Sequence, residues 1–249
     1  MKYLYGFLIV ISMLLSTEES SAQKKLTLDD IYRNNLFQTR SVAGVNWMKD
    51  SKFYTAQDDK GIQKYNSLTG LLEEHLFSLS ENGIDKFAFD DYALSADETK
   101  ILLLTNRKEI YRRSFTAEYY IYDIATKSLV ALSKQGAQSY ATFSPDGTKV
   151  AFVRANNLFY KDLITQSEIQ ITTDGKLNSI INGAPDWVYE EEFYLSTGFQ
   201  WSGDSKKIAF YRFDETDVKE FTMQLWNGTE PYPQNYQFKY PKAGEKNSV

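Results

Sequence analysis

A short turn signature recurs four times along the chain, and a repeat of this period admits few architectures. Its clearest copy is Thr142-Phe143-Ser144-Pro145-Asp146-Gly147-Thr148-Lys149-Val150-Ala151-Phe152. Related copies run from Ala93 to Leu103 and from Gln200 to Phe210, with a degenerate one from Asn46 to Phe53. Each sets an apolar or aromatic residue before a tight turn centred on an aspartate, then an apolar strand, which is hairpin chemistry. The turn residues Asp50, Asp97, Asp146 and Asp204 are 47, 49 and 58 residues apart. Further strand signals, at Glu118 to Tyr122 and Asn157 to Tyr160, bring each period to three or four short strands. That is one propeller blade per period, and nothing reads as the regular helix of a solenoid. The 18 Tyr, 16 Phe and 4 Trp suit half-buried pleated surfaces, so the expected class is all-β. About four blades of sequence either close as a small ring or form the first portion of a larger one.

Composition removes several kinds of function. With 33 acidic against 28 basic side chains and no local Lys/Arg cluster, nothing attracts a phosphate backbone, so no nucleic-acid partner is expected. There is no cysteine and a single histidine, His75, which leaves no disulfide, no Cys/His zinc spacing and little material for a catalytic triad. No phosphate-cradling glycine loop or Asp-rich calcium loop is present, so no cofactor and no metal are expected. At the N-terminus, Lys2 precedes an apolar stretch from Tyr3 to Leu15 and small residues ending Ser20-Ser21-Ala22. That pattern reads as a signal peptide over residues 1–22 and implies export, an uncleaved anchor being the alternative. No other segment is long and apolar enough to cross a membrane. Asn227-Gly228-Thr229 fits the N-glycosylation pattern. The C-terminal stretch from Tyr240 to Val249 reads as a chain interrupted in a loop.

The surplus of the longest interval falls around Asp186-Trp187-Val188-Tyr189-Glu190-Glu191-Glu192. Asp186 is a good helix N-cap and the glutamates suit the positive end of the dipole, so a short inserted helix is expected near residues 186–195. Three glutamates on a capped helix can simply face water. Alternatively two neighbouring ones, about 100° apart around the axis, converge on one ammonium group.

This string resembles the double-glutamate motif of the dipeptidyl peptidase IV family, exported or membrane-anchored serine peptidases that remove N-terminal dipeptides. Three more segments carry the resemblance in the same order. Tyr111-Arg112-Arg113-Ser114-Phe115-Thr116-Ala117-Glu118-Tyr119-Tyr120-Ile121-Tyr122-Asp123 resembles the family's arginine-bearing segment. Thr27-Leu28-Asp29-Asp30-Ile31 resembles its opening segment, and Tyr240-Pro241-Lys242-Ala243-Gly244 its post-insertion blade.

The resemblance implies that residues 23–249 are the N-terminal part of such a propeller, incomplete at about four blades. It implies that Glu191 and Glu192 bind the protonated N-terminal amine of a peptide, and that Arg112 contacts the carbonyl oxygen of the penultimate substrate residue. Glu190 and Tyr189 would be supports, and Arg113 a solvated side chain. The partners implied are peptide N-termini, the protein's own α/β-hydrolase domain and a second copy in a homodimer, with cleavage after proline or alanine. The family's nucleophile sits in a Gly-x-Ser-x-Gly elbow, which is absent from these 249 residues, and no elbow follows His75 to use it. The chain alone is therefore expected to be inactive and, with blade faces open, marginally soluble. A non-catalytic propeller that binds peptides is the alternative, and another prolyl-oligopeptidase relative a third reading, one with no reason for a double-glutamate anchor.

Overall fold

The computed structural model describes residues 25–39, 41, 43–79, 89–226 and 228–249. The expected signal segment and Asn227 lie outside them. The described residues up to 41 and those from 43 onward fall into two units. In the first, helix α1 (Leu28–Tyr32) begins with a capping box. Asp30 N–H donates to Thr27 Oγ1 (3.1 Å), and Thr27 N–H donates back to Asp30 Oδ2 (3.2 Å). The Thr-x-x-Asp spacing announces this helix in the sequence, although the repeat pattern does not.

The second unit is built from four-stranded antiparallel meanders. Strands β1 (Ala43–Trp47), β2 (Phe53–Asp58), β3 (Gly61–Asn66) and β4 (Leu72–Ser78) make the first blade. The second comprises β5 (Asp91–Leu94), β6 (Lys100–Glu109), β7 (Phe115–Asp123) and β8 (Ser128–Ala131), and the third β9 (Ser139–Phe143), β10 (Lys149–Arg154), β11 (Asn157–Asp162) and β12 (Glu168–Gln170). The fourth period is irregular. Strand β13 (Ile180–Asn182) pairs with β16 (Arg212–Asp214), and β14 (Phe199–Trp201) with β15 (Ile208–Phe210) nested inside. Helix α2 (Trp187–Phe193) interrupts this sheet, and the hairpin of β17 (Glu220–Leu225) and β18 (Gln234–Lys239) follows it. The architecture is an all-β, unclosed propeller of about four blades with one short inserted helix.

The apolar runs Ile101 to Leu104 and Val150 to Val153 show why the sheets stack. Side chains alternate across a strand, so a sheet buried on both faces needs a continuous run instead of an alternating one. Ile101 and Leu103 pack toward the first blade with Ile62 and Phe77, whereas Leu102 and Leu104 pack toward the third with Val150 and Phe152. Ala151 and Val153 face the other way, onto Ile181, Phe199 and Phe213 of the fourth period.

The repeated turns are built alike. Ser95 Oγ donates to Asp97 Oδ1, Ser144 Oγ to Asp146 Oδ1 and Ser202 Oγ to Asp204 Oδ1, each at 2.6 Å. Each serine oxygen also accepts an N–H from the start of the next strand, at Lys100 (3.0 Å), Lys149 (2.9 Å) and Lys207 (2.9 Å). Successive turns also touch: Ser205 Oγ accepts from Asp146 N–H (3.0 Å), and Glu98 Oε1 accepts from Lys49 N–H (2.5 Å). The Ser95 hydroxyl holds Asp97, and the Ser202 hydroxyl Asp204, below the usual carboxylate range. Burial would raise Asp146, but the Ser144 and Thr148 bonds overcome it and hold Asp146 at about 2.

These depressed values set a sign. Their stabilisation is present above the unfolded carboxylate range near about 3.9 and disappears as pH falls toward 2. Thermal melts should therefore show Tm dropping across that acid window, and Asp146→Asn should flatten the drop. An unchanged acid slope in that variant would show that the turn carboxylates do not contribute.

Candidate functional site

Two segments distant in sequence meet at the site. The first is the tip of the long hairpin formed by β6 and β7, residues 110–114. Ile110 N–H donates to Ser114 O (2.8 Å) and Tyr111 N–H to Ser114 Oγ (3.1 Å), which closes the tip and holds Arg112 and Arg113 at its turn. The second is α2. Asp186 is its N-cap in extended conformation, with Oδ1 accepting the Tyr189 N–H at 2.8 Å. At the other end Tyr194 takes the left-handed conformation (φ 59°) and donates its N–H to Tyr189 O. The base of the insertion is closed by the Gly198 N–H donating to Gly183 O at 3.1 Å. A Cβ on Gly198 would lie 2.7 Å from Ala184 N, so the two backbones meet only because this residue has no side chain.

The three glutamates face three environments, as a rotation of about 100° per residue requires. Glu190 is 1% exposed. Its Oε1 accepts the Arg113 N–H (2.6 Å) and the Ser114 N–H (2.8 Å), so one carboxylate oxygen ties α2 to the hairpin tip. Glu191 faces Arg112, with Arg112 Nε 3.2 Å from Glu191 Oε2. The guanidinium side is open and the carboxylate side sheltered, at 73% and 13% exposure. Glu192 is exposed and makes no polar contact with Arg112 among the described residues. Tyr189 is half-buried, its ring 4.7 Å from Phe213 and 5.3 Å from Phe193, so it packs the helix against β16.

The structure brings Arg112, Glu190 and Glu191 together and leaves Glu192 on the same helix, facing water. It corrects one expectation. Arg113 is not a solvated side chain: its Nη1 donates to Glu190 O (3.0 Å) and its guanidinium lies over the Tyr194 ring, 4.5 Å from the centroid. It therefore latches the far end of α2, a role invisible in sequence because the acceptor is a backbone carbonyl 77 residues away. Two tyrosines flank Glu190. Burial first, and then among lesser causes the charge of Glu190, pushes the Tyr140 and Tyr111 hydroxyls well above the usual phenol range. His75 lies exposed on β4 in the first blade. Among the described residues no group of three or more His, Cys, Asp or Glu side chains could hold a metal ion. No helix among them is long and apolar enough to cross a membrane.

An exposed arginine paired to a sheltered glutamate, with a second glutamate one residue on, offers a donor for a carbonyl oxygen and acceptors for a cation within one small surface. Known proteins carry the same region. The family described as dipeptidyl peptidase IV (DPP IV) N-terminal region matches residues 95–249. The human protein named prolyl endopeptidase FAP is 34% identical over 234 residues, covering 93% of this chain and 30% of that protein. A probable dipeptidyl-aminopeptidase B from Aspergillus niger is 40% identical over 169 residues, covering 62% of this chain and 19% of that protein. The crystal structure of Porphyromonas gingivalis dipeptidyl peptidase 4 superimposes with a TM-score of 0.83 at 41% identity, over 90% of this chain and 32% of that one. The chain thus spans no more than about a third of the length of these relatives. With a family model matching more than half of the chain and a solved relative 41% identical over 90% of it, the chain belongs to the dipeptidyl peptidase IV family and corresponds to its N-terminal region.

Proposed function

We propose that this chain is the propeller portion of an exported serine dipeptidyl aminopeptidase, and that it supplies the residues that anchor the free amine of a peptide. In this reading residues 1–22 are a signal peptide and residues 23–249 belong to the propeller. The nucleophile, its partners and the remaining blades lie outside these 249 residues, on further propeller and an α/β-hydrolase domain. The dipeptides released are Xaa-Pro or Xaa-Ala, and the complete protein pairs as a homodimer; both follow from the family resemblance. The observation that carries the reading is the pairing of Arg112 with Glu191 beside Glu192 on a helix fixed at both ends.

The chemistry follows from charge and geometry. A peptide α-amino group, with a pKa of roughly 7.7 to 8.0, is mostly an ammonium ion at neutral pH. Three N–H bonds need acceptors that water no longer supplies once the peptide is seated, and carboxylates are the strongest available. Glu191, already sheltered and oriented by Arg112, takes one, and Glu192 swings in from solvent to take another. The exposed remainder of the Arg112 guanidinium then faces the carbonyl of the penultimate substrate residue. An ammonium held at a fixed distance from a nucleophile acts as a ruler that admits two residues before the scissile bond. Glu190 and Tyr189 hold the helix that bears the anchor.

The Glu191→Ala/Glu192→Ala double variant tests this. Its affinity for the dipeptide Ile-Pro should fall on the order of a hundredfold, about 2.7 kcal/mol, without loss of the folded melt. Unchanged affinity in the double variant would refute the anchor. The alternative, a propeller that binds peptides without cleaving them, uses the same residues. Sequence downstream of Val249 encoding a Gly-x-Ser-x-Gly elbow in the same frame decides for the peptidase.

A further inference from the structure

Behind α2 lies a cavity of about 220 Å³ whose wall includes Tyr111, Ser114, Asp186, Trp187 and Glu215. Two of these are buried acids, Asp186 at 5% and Glu215 at 6% exposure. Asp186 is fully used: Oδ1 caps the helix through Tyr189 N–H, and Oδ2 accepts from the Ser248 hydroxyl. Ser248 is placed by the backbone pairing of its neighbour Val249 with Asp214, at 2.8 and 3.2 Å. Glu215 follows Asp214 directly. Its backbone is fixed by bonds to Ser179 O (2.8 Å) and from Val218 N–H (3.1 Å), but no hydrogen bond reaches its carboxyl group among the described residues. An unpartnered acid nine-tenths buried beside a helix cap needs an explanation.

We propose that Glu215 is a positioning residue for α2, whose carboxyl group makes the seating of the amine anchor depend on protonation. Arg154 and Tyr140 also line the cavity, Arg154 being tied to Glu168 Oε1 at 2.7 Å; four other charged or titratable groups act on Glu215 directly. Asp186 faces it from the helix cap, Tyr111 from the hairpin tip, Asp214 from its own segment and Lys239 from β18. Lys239 is already engaged, donating to Val218 O (2.8 Å) and lying 3.9 Å from Glu220 Oε1. Burial first, then the Asp186 charge, outweigh Lys239 and push Glu215 up to about 7. While Glu215 is neutral, Asp186 meets no like charge from it across the cavity and the helix is seated. When it ionises, two like charges line one cavity, and the cap and Trp187 beside it are pushed apart. A folded value raised above the unfolded one means that this contribution is complete below about pH 4.3 and lost as pH rises through 7. The anchor should therefore grip best under mildly acidic conditions.

The inference rests on the assignment of Glu191 and Glu192 as the anchor, and two readouts keep the two apart. The first compares wild type with Glu215→Gln in binding Ile-Pro from about pH 5.5 to about pH 8.5; titration of the peptide's own amine cancels in the ratio. The wild-type dissociation constant divided by that of the variant should rise from near one to about threefold or more. A ratio that stays constant overturns the proposal. The second follows the 5-fluorotryptophan signal of Trp187, identified by Trp187→Phe, without any peptide. It should inflect near pH 7 in wild type and not in Glu215→Gln, and a wild-type signal flat across this range also overturns the proposal. An inflection removed by Glu215→Gln, in protein that binds no dipeptide at any pH, keeps the protonation-dependent seating and refutes the anchor instead.

Discussion

Replacing Glu190 by alanine should release the proposed amine anchor without touching it. The substitution leaves the part-buried Arg113 and the buried Ser114 N–H groups without their acceptor, 77 and 76 residues away in sequence. Two orphaned donors of this kind cost about 2–4 kcal/mol together, because each keeps its desolvation penalty and loses a charge-assisted bond. Urea unfolding should register that loss, and Ile-Pro affinity should fall alongside it as the hairpin tip and α2 separate. Glu190→Gln keeps an oxygen for both donors and should retain at least about half of the lost stability. Glu190→Ala with an unaltered urea midpoint and unaltered affinity would mean that the tip and the helix are positioned independently.

The second large effect concerns the stacking of blades. Phe152 is fully buried between the second and third sheets and stacks on Phe159 with ring centroids 5.6 Å apart and planes 6° from parallel. The Arg154 guanidinium covers the outer part of this pair, 4.2 Å from the Phe159 centroid, and is tied to Glu168 Oε1 at 2.7 Å. Phe152→Ala should cost about 3–5 kcal/mol, the lost transfer energy plus a cavity that two pleated sheets cannot close. Phe152→Leu should cost much less. A denaturation midpoint for the alanine variant within error of wild type would show that the second and third blades do not depend on this contact.

How much of this was legible in the sequence differs from element to element. The second and third blades were, because the Ser-x-Asp turn and the continuous apolar run after it are local features: the turn chemistry fixes the hairpin, and the run announces burial on both faces; the first was legible only through a degenerate copy, with Met48 in place of the turn serine. Helix α2 was legible for the same reason, through its Asp186 cap. The fourth blade was less so. Its strands shrink to three residues around the insertion, too short for an alternating pattern to register. The part of the site that binds through side-chain charge, Arg112 with Glu191, could be anticipated from residue type and the family pattern. The part that binds through backbone atoms could not: Arg113 reaches a carbonyl, and Glu190 reaches two amides. Ser248 and Glu215 are likewise silent in sequence, since only the fold brings the chain's last residues beneath the helix cap.

Every element of the account leads to one chemical requirement, a free and protonated α-amine. The most direct measurement is a calorimetric titration of the chain at about pH 7 with Ile-Pro and, separately, with N-acetyl-Ile-Pro, which has the same side chains and carboxylate but no ammonium. The account predicts measurable binding of the free dipeptide and a loss on the order of a hundredfold or more on acetylation. Equal affinity for the two would contradict it, and would leave Glu191 and Glu192 as solvated residues on a capped helix.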